Sequence, residues 1–475
     1  MDSGVSANTD NHKGAALNRR QPSGRLGALL LIAFSAPSLA LSFVGVPAAS
    51  FLPNVYAKQT AISLAAIGGV LLVSRVFDAI TDQLVGYWSD RTRGPLGPRK
   101  PWLIAGLPVM LISVAFLFNP GPDAGILYFG AWSLLYYFGY TLIYVPHLAW
   151  ASELSPDYTE RSRIFTFYSV TGQVGQFLIF GAPIVLHWAS VLDSSEMDAG
   201  YMRVLIWCFF AVFPIVIAIA LWFAPQGERK PAAPIDFRTA FLSLARNQLL
   251  RRYMSIFLLY GVSAGMFTAL IIVYFDSYMG IAELFSYALI AMVAVSILSL
   301  YPWMKLVKRF GKHRPWAWSW LGSILTTPLL ILFPPGHASF LPVLAIFLLY
   351  AAWESVSNVV SQSILADLVD YDALITGSDK AGSFYALQGL MVKMAYAVGA
   401  GLAFILLDIF HYSIQAPETN DAASKAGFMV AFLILPSLLK AGAVALVWNY
   451  PLDKRRHDIV RKRLDQRTAA AEEAG

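Results

Sequence analysis

SRVFDAITDQLVGYWSDRTRGPLGPRK, residues Ser74 to Lys100, puts two aspartates, Asp78 and Asp82, inside an otherwise apolar segment that runs from Thr60 to Trp88. A segment of that length can cross the ~30 Å hydrocarbon core of a bilayer. The cluster that follows, Arg91, Arg93, Arg99 and Lys100, is what a loop on the cytoplasmic face of a membrane carries. Asp90 opens that loop. At 1.5 Å per residue, Asp82 then lies ~12 Å and Asp78 ~18 Å back into the core, both near its middle.

The rest of the chain agrees with a membrane setting. Its 475 residues are 57% hydrophobic and 13% charged, and the mean hydropathy is +0.58. Soluble domains are about a quarter charged, and no soluble core hides this much apolar surface. The net charge of +6 is spread between hydrophobic runs, a topology signal rather than a nucleic-acid footprint. Cys208 is the sole cysteine, so no intramolecular disulfide forms. Residues 1–24 are polar and lack the apolar stretch of a signal peptide; a disordered cytoplasmic tail is expected.

Eight long uncharged runs stand out: Leu26–Tyr56, Pro101–Pro122, Gly125–Ser152, Ile164–Leu192, Val204–Gln226, Tyr253–Phe275, Leu284–Met304 and Pro315–Trp353. The last is too long for one span, and Pro334-Pro335-Gly336 divides it. Thr60–Trp88, Ala381–Leu407 and Ala426–Tyr450 add three spans with isolated charges, for an expected twelve helices. Lys and Arg concentrate in alternate loops, which puts both termini in the cytoplasm. The polar stretch 225–248, with an amphipathic piece at Asp236–Leu244, falls near the midpoint. The expected organisation is therefore a tail (1–24), a six-helix half (25–224), a linker (225–248), a second six-helix half (249–452) and a basic-then-acidic tail (453–475). That is the plan of a major facilitator fold, an all-α membrane protein.

Charges inside the membrane point to the chemistry. Asp78 and Asp82, at i and i+4, share one helix face. Each costs at least ~2.5 kcal/mol at the centre of the bilayer unless it is compensated. Thr81 adds an oxygen next to Asp82, and a hard cation such as Na+ takes oxygen ligands. The alternative is a pair neutralised by Arg75 for helix packing alone. Lys393, twelve residues into its span, supplies the opposite sign at similar depth and is the natural partner of the pair; otherwise it snorkels to an interface. Tyr137, Thr141 and Tyr144 fall at i, i+4 and i+7, one stripe of polar-tipped groups suited to a sugar face or to ordinary core packing. Glu354 and His147 also sit in apolar runs, and their roles stay open.

These residues carry a family likeness. SRVFDAITDQLVGYWSDRTRGPLGPRKPW resembles the second helix and loop of the glycoside–pentoside–hexuronide:cation symporters, the melibiose-permease family. ADLVDYDAL (Ala366 to Leu374), VYFDSYMGIAELF (Val273 to Phe285) and the Gln388–Lys393 spacing are similar to its other motifs. The resemblance spans roughly residues 25 to 450. It implies that Asp78, Thr81, Asp82 and Thr141 bind the coupling ion, Na+ or H+, with Na+ favoured at the Asp78–Asp82 pair and Lys393 as charge partner. It implies a cytoplasmic gate of Gly86, Asp90, Arg91, Arg99 and Lys100, with Asp367 and Asp370 as partners from the other half. Pro37, Tyr144 and Tyr168 stand where the melibiose permease has charged sugar ligands, so the cation site is kept and the galactoside site is not. Tyr137, Tyr140, Tyr144, Tyr168 and Gln388 are the solute-binding candidates.

The expected function is cation-coupled symport of a small polar solute, a sugar or glycoside, by a monomer in a bacterial inner membrane, without a cofactor and without nucleic acid. A lysolipid symporter of the same fold is the alternative. A membrane enzyme or receptor is a distant third, since the chain has no metal-ligand cluster, phosphate-binding loop or nucleophile elbow.

Overall fold

The computed structural model of the chain describes residues 26–155, 158–226, 247–376, 381–451 and 466. The expected tail at 1–24, the basic-then-acidic tail except residue 466, and linker residues 227–246 with the Asp236–Leu244 piece lie outside the described residues. With water absent from lipid, a spanning segment must satisfy its own backbone, and the apolar runs do so as helices. Among the described residues eleven helices are long and apolar enough to cross a membrane, and there is no strand.

The first set comprises α1 (Ala28–Ser50), the short α2 (Leu52–Gln59), α3 (Leu64–Arg91), α4 (Lys100–Leu117), α5 (Ile126–Glu153), α6 (Tyr158–Trp188) and α7 (Ala199–Phe223). The second comprises α8 (Gln248–Val273), α9 (Phe285–Phe310), α10 (His313–Thr326), α11 (Phe340–Thr376), α12 (Ala381–Ile409), α13 (Ala422–Met429) and α14 (Leu435–Trp448). A single π turn, Val430–Ile434, joins α13 and α14 into one span. Short polar residues start several helices. The Ser63 hydroxyl accepts from the Ala66 amide, and the Asn247 side chain accepts from Leu249 and Leu250.

The run Pro315–Trp353 does divide at Pro334-Pro335-Gly336. Helix α10 tightens into a 3-10 stretch, Thr327–Leu332, and Gly336 turns the chain at φ +117, open to glycine and costly for other residues. The run Leu26–Tyr56 is also broken, at Phe51, where α1 gives way to α2 with Pro53 in its first turn.

Packing partners mostly stay within each set: α1 with α6 and α7, α4 with α5, α8 with α12 and α14, α9 with α11. The main crossings between the sets are α3 on α12 and α6 on α9. The first matters most. Gly68 of α3 faces the Gly401 carbonyl so closely that an added Cβ would collide with it. Large apolar side chains such as Trp207, Trp222 and Leu298 point outward, the surface expected against lipid tails.

Candidate functional site

Because α3 and α12 run antiparallel from the Gly68–Gly401 contact, Asp78 and Lys393 lie ~15 Å and ~12 Å along their helices from it, at matching depth. The side chains meet. Lys393 Nζ is 3.2 Å from Asp78 Oδ2 and closer still to Asp82 Oδ2. From α5, Thr141 Oγ1 stands 3.1 Å from Asp78 Oδ1 and 3.0 Å from Asp82 Oδ1, donating its one proton to either. Thr141 is fully buried and Asp78 is 2% exposed. Each carboxylate thus turns one oxygen to a hydroxyl and the other to an ammonium.

Arg75, one turn before Asp78, places Nη1 3.9 Å from Asp78 Oδ2 and its guanidinium over the Tyr137 ring at 4.5 Å. Two positive and two negative groups share the middle of the bundle, so the cluster is electrically balanced. An unbalanced charge there would be expensive.

Thr81 is not brought to this cluster. Its hydroxyl turns back to the Phe77 and Asp78 carbonyls of its own helix, 3.0 and 3.1 Å away. One residue from Asp82 is ~100° around a helix, and a threonine there satisfies itself on the preceding turn.

A cavity of about 610 Å³ opens beside the cluster, with Arg75, Asp78 and Lys393 on its wall. Tyr137, Tyr140 and Tyr144 line it as expected, and Tyr140 and Tyr144 stack at 5.4 Å between ring centroids. Tyr136, which the sequence reading passed over, lines it too. Two expected solute residues do not. Gln388 is buried against α8, donating to the Tyr253 hydroxyl at 2.9 Å, which in turn donates to the Ser361 carbonyl. Five residues from Lys393 is about 140° around α12, which turns Gln388 away from the cavity. Tyr168 is not among the cavity-lining residues; its ring packs against His147 at 5.4 Å. His147 itself donates from Nε2 to the Phe34 carbonyl at 2.9 Å.

At the Asp90 end of the bundle the pairings differ from those expected. Arg99 Nη2 reaches Asp90 at 2.6 Å and Glu153 of α5 at 2.5 Å, while Nη1 donates to Ser89. Lys100 donates to the Leu221 and Ala224 carbonyls at the end of α7. Arg91 lies over its own Tyr87, and Gly86 faces Val145. Asp367 holds Lys312 at 2.6 Å, with Asp370 three residues further along α11. Arg99 is therefore saturated by its own set of helices, because the loop from Asp90 folds back across the end of α5. Glu153 was the missed partner; it falls just past the Gly125–Ser152 run, where a carboxylate reads as a solvated helix end.

The opposite end ties the two sets together. Asp276, after α8, accepts from Asn54 Nδ2 at 2.9 Å and pairs with Lys58 at 2.6 Å. Gln415 donates to the Thr60 carbonyl at 2.6 Å. Burial and the nearby Asp276 carboxylate push the Glu196 carboxyl above its usual range. Elsewhere Glu354 gains the partner that the sequence left open: Lys440 Nζ lies 2.7 Å from Oε1, and Tyr260 donates to Oε2 at 3.1 Å.

The family model described as MFS/sugar transport protein matches residues 33–454. Among curated relatives, a putative glycoside/cation symporter, YagG, of Escherichia coli (strain K12) is 23% identical, over 93% of this chain and 96% of its own length. The isoprimeverose transporter of Lactiplantibacillus pentosus is 24% identical over 85% of each. The crystal structure of the nucleoside transporter NupG superposes with a TM-score of 0.65 at 12% identity, covering 89% of this chain and 98% of that one. At that identity the likeness is one of fold.

Proposed function

The chain belongs to the MFS/sugar transport protein family, a membrane transporter rather than an enzyme, and we propose that it couples a cation gradient to uptake of a sugar-like solute through the Asp78–Asp82–Thr141–Lys393 cluster. The observation that carries this is the convergence of three oxygen-bearing side chains and one ammonium at mid-depth, beside a cavity of solute size. A relative named as a putative glycoside/cation symporter and another named as an isoprimeverose transporter support the solute class.

The coupling ion is Na+. A proton needs a single carboxylate, whereas Asp78, Asp82 and Thr141 offer several oxygens at once. The residues fit a hard cation: Oδ1 of each aspartate already lies within hydrogen-bond distance of the Thr141 oxygen. A bound cation repels the Lys393 ammonium, which moves toward the cavity that the solute occupies. The linkage is reciprocal: cation and solute raise each other's affinity by the same factor.

The bundle has twelve crossings in two six-helix halves, with both termini cytoplasmic. Helix α10 supplies the twelfth. Its 14 residues and the 6 of the 3-10 stretch that follows span about 33 Å, since a 3-10 turn rises further per residue. The Asp276 pairs then face outside and must part when that side opens, whereas the Asp90–Arg99–Glu153 group steadies the cytoplasmic ends of α3 and α5. Arg99→Ala should slow turnover while leaving solute affinity little changed; loss of affinity with normal turnover would contradict that role.

Uptake of labelled glycosides, uronides and lysolipids into proteoliposomes, with and without a Na+ gradient, tests the reading. At least one sugar-like compound should show Na+-driven accumulation; uptake of lysolipid alone would favour the amphiphile alternative. In the same assay Tyr144→Phe, which removes one hydroxyl from the cavity wall, should weaken apparent solute affinity roughly fivefold, about 1 kcal/mol. An unchanged value would place the solute away from α5.

A further inference from the structure

We infer that the hairpin joining α9 to α10 is a binding site for an anionic phospholipid of the surrounding membrane; that the leaflet is the cytoplasmic one rests on the topology proposed above. The observation that carries this is a stripe on α9. Leu298, Tyr301, Lys305 and Lys308 fall at i, i+3, i+7 and i+10 and so share one helix face. All four are exposed. The opposite face is fixed inward, where Trp303 Nε1 donates to the Ala352 carbonyl of α11 at 2.8 Å. Lys305 then stands ~10 Å and Lys308 ~15 Å along the helix from Leu298. An apolar residue, an aromatic one with a hydroxyl and two ammonium groups thus follow one another outward. A phospholipid presents acyl chain, ester region and phosphate in the same order and on the same scale. Lys305 Nζ lies 4.4 Å from the centroid of the Tyr301 ring, which holds the ammonium at the aromatic level without an ion pair.

The charge around this stripe has one sign. Arg309 is exposed beside Lys308, and Gly311 turns the chain at φ +83 into α10, which opens with the exposed Arg314. Phe310 packs edge-on against Trp318 at 5.1 Å and holds the start of α10 against the end of α9. The sequence has no acidic residue between Glu283 and Glu354. Arg99, Arg163 and Lys312 at the same end of the bundle each have a carboxylate, from Glu153, Glu160 and Asp367. Lys305, Lys308, Arg309 and Arg314 have none among the described residues. Four cations at the lipid boundary are thus left for the leaflet to neutralise. A zwitterionic headgroup carries its own ammonium against its phosphate and gains little there, whereas a net-anionic one is attracted by every cation of the cluster.

The test titrates dioleoyl phosphatidylglycerol or dioleoyl phosphatidylcholine into the purified full-length protein and counts retained lipid by native mass spectrometry. Phosphatidylglycerol should be held roughly tenfold more tightly, and Lys305→Gln/Lys308→Gln should remove that preference while leaving phosphatidylcholine unchanged. Arg91→Gln/Arg93→Gln takes the same charge from the same end of the bundle and should change lipid retention little. Tyr301→Ala, which alters no charge, should weaken phosphatidylglycerol severalfold. An excess of inorganic phosphate should not displace the lipid, because it lacks the acyl chains that meet Leu298 and Tyr301. Equal retention of the two lipids overturns the proposal, as does a preference that survives Lys305→Gln/Lys308→Gln. An equal loss in Arg91→Gln/Arg93→Gln would show diffuse surface charge instead of a site, and displacement by phosphate would show an anion site that does not require lipid; either overturns it. Should the lysine variant not fold, the lipid comparison on the unaltered protein and on Tyr301→Ala decides. Loss of the lipid preference with Na+-driven uptake intact sinks this inference alone, and an intact preference without such uptake sinks the symporter reading alone.

Discussion

Asp82→Asn should abolish Na+ stimulation of solute uptake while the protein still folds and retains some solute binding. Asparagine keeps the size and one carbonyl oxygen of aspartate, so the α3–α12 packing through Gly68 and Gly401 survives. What is lost is the charge that offsets an incoming cation, and with it the closest partner of Lys393. With one carboxylate remaining, Arg75 and Lys393 outweigh Asp78, and an incoming Na+ meets a net positive cluster. Initial uptake rates in proteoliposomes, with and without a Na+ gradient, measure the effect. Stimulation that persists in Asp82→Asn would show that the cation binds elsewhere. Thr141→Ala removes only the neutral ligand and should weaken Na+ dependence without eliminating it.

Lys440→Met should cost stability on a comparable scale. It leaves the largely buried Glu354 carboxylate with the Tyr260 hydroxyl as its one remaining bonded partner among the described residues. Removing one member of a buried ion pair costs about 3–5 kcal/mol, because the survivor stays desolvated and unpaired. Thermal unfolding in detergent should show a clear fall for the single variant, with most of it recovered in Lys440→Met/Glu354→Gln. If the single variant unfolds like the unaltered protein, the pair is not structural, and Glu354 becomes a candidate for proton exchange.

The charged cluster was legible in the sequence because lipid makes charge conspicuous. A carboxylate or ammonium in an apolar run demands a partner, and Lys393, on another span at similar depth, offered the opposite sign to Asp78 and Asp82. Helical spacing placed both aspartates on one face, and Thr141 and Tyr144 on the stripe that meets it. Polar but uncharged residues carried less information. Gln388 and Tyr168 lie in the same kind of apolar run, yet each finds a neighbour in helix packing, Tyr253 and His147 respectively. Which way a side chain turns depends on the partner helix, and a single sequence does not state helix neighbours. Lys440 and Glu153 were overlooked for the same reason, since each is defined by a residue far along the chain. The break at Pro334-Pro335-Gly336 was readable because it is local: proline and glycine act on the backbone where they stand.

The cation site is tested most directly by titrating Na+ into the purified full-length protein at fixed pH and ionic strength, with choline replacing Na+. Saturable binding to the unaltered protein, weakened in Thr141→Ala and absent in both Asp78→Asn and Asp82→Asn, is the predicted result. No saturable binding, or binding that survives loss of either aspartate, would contradict it.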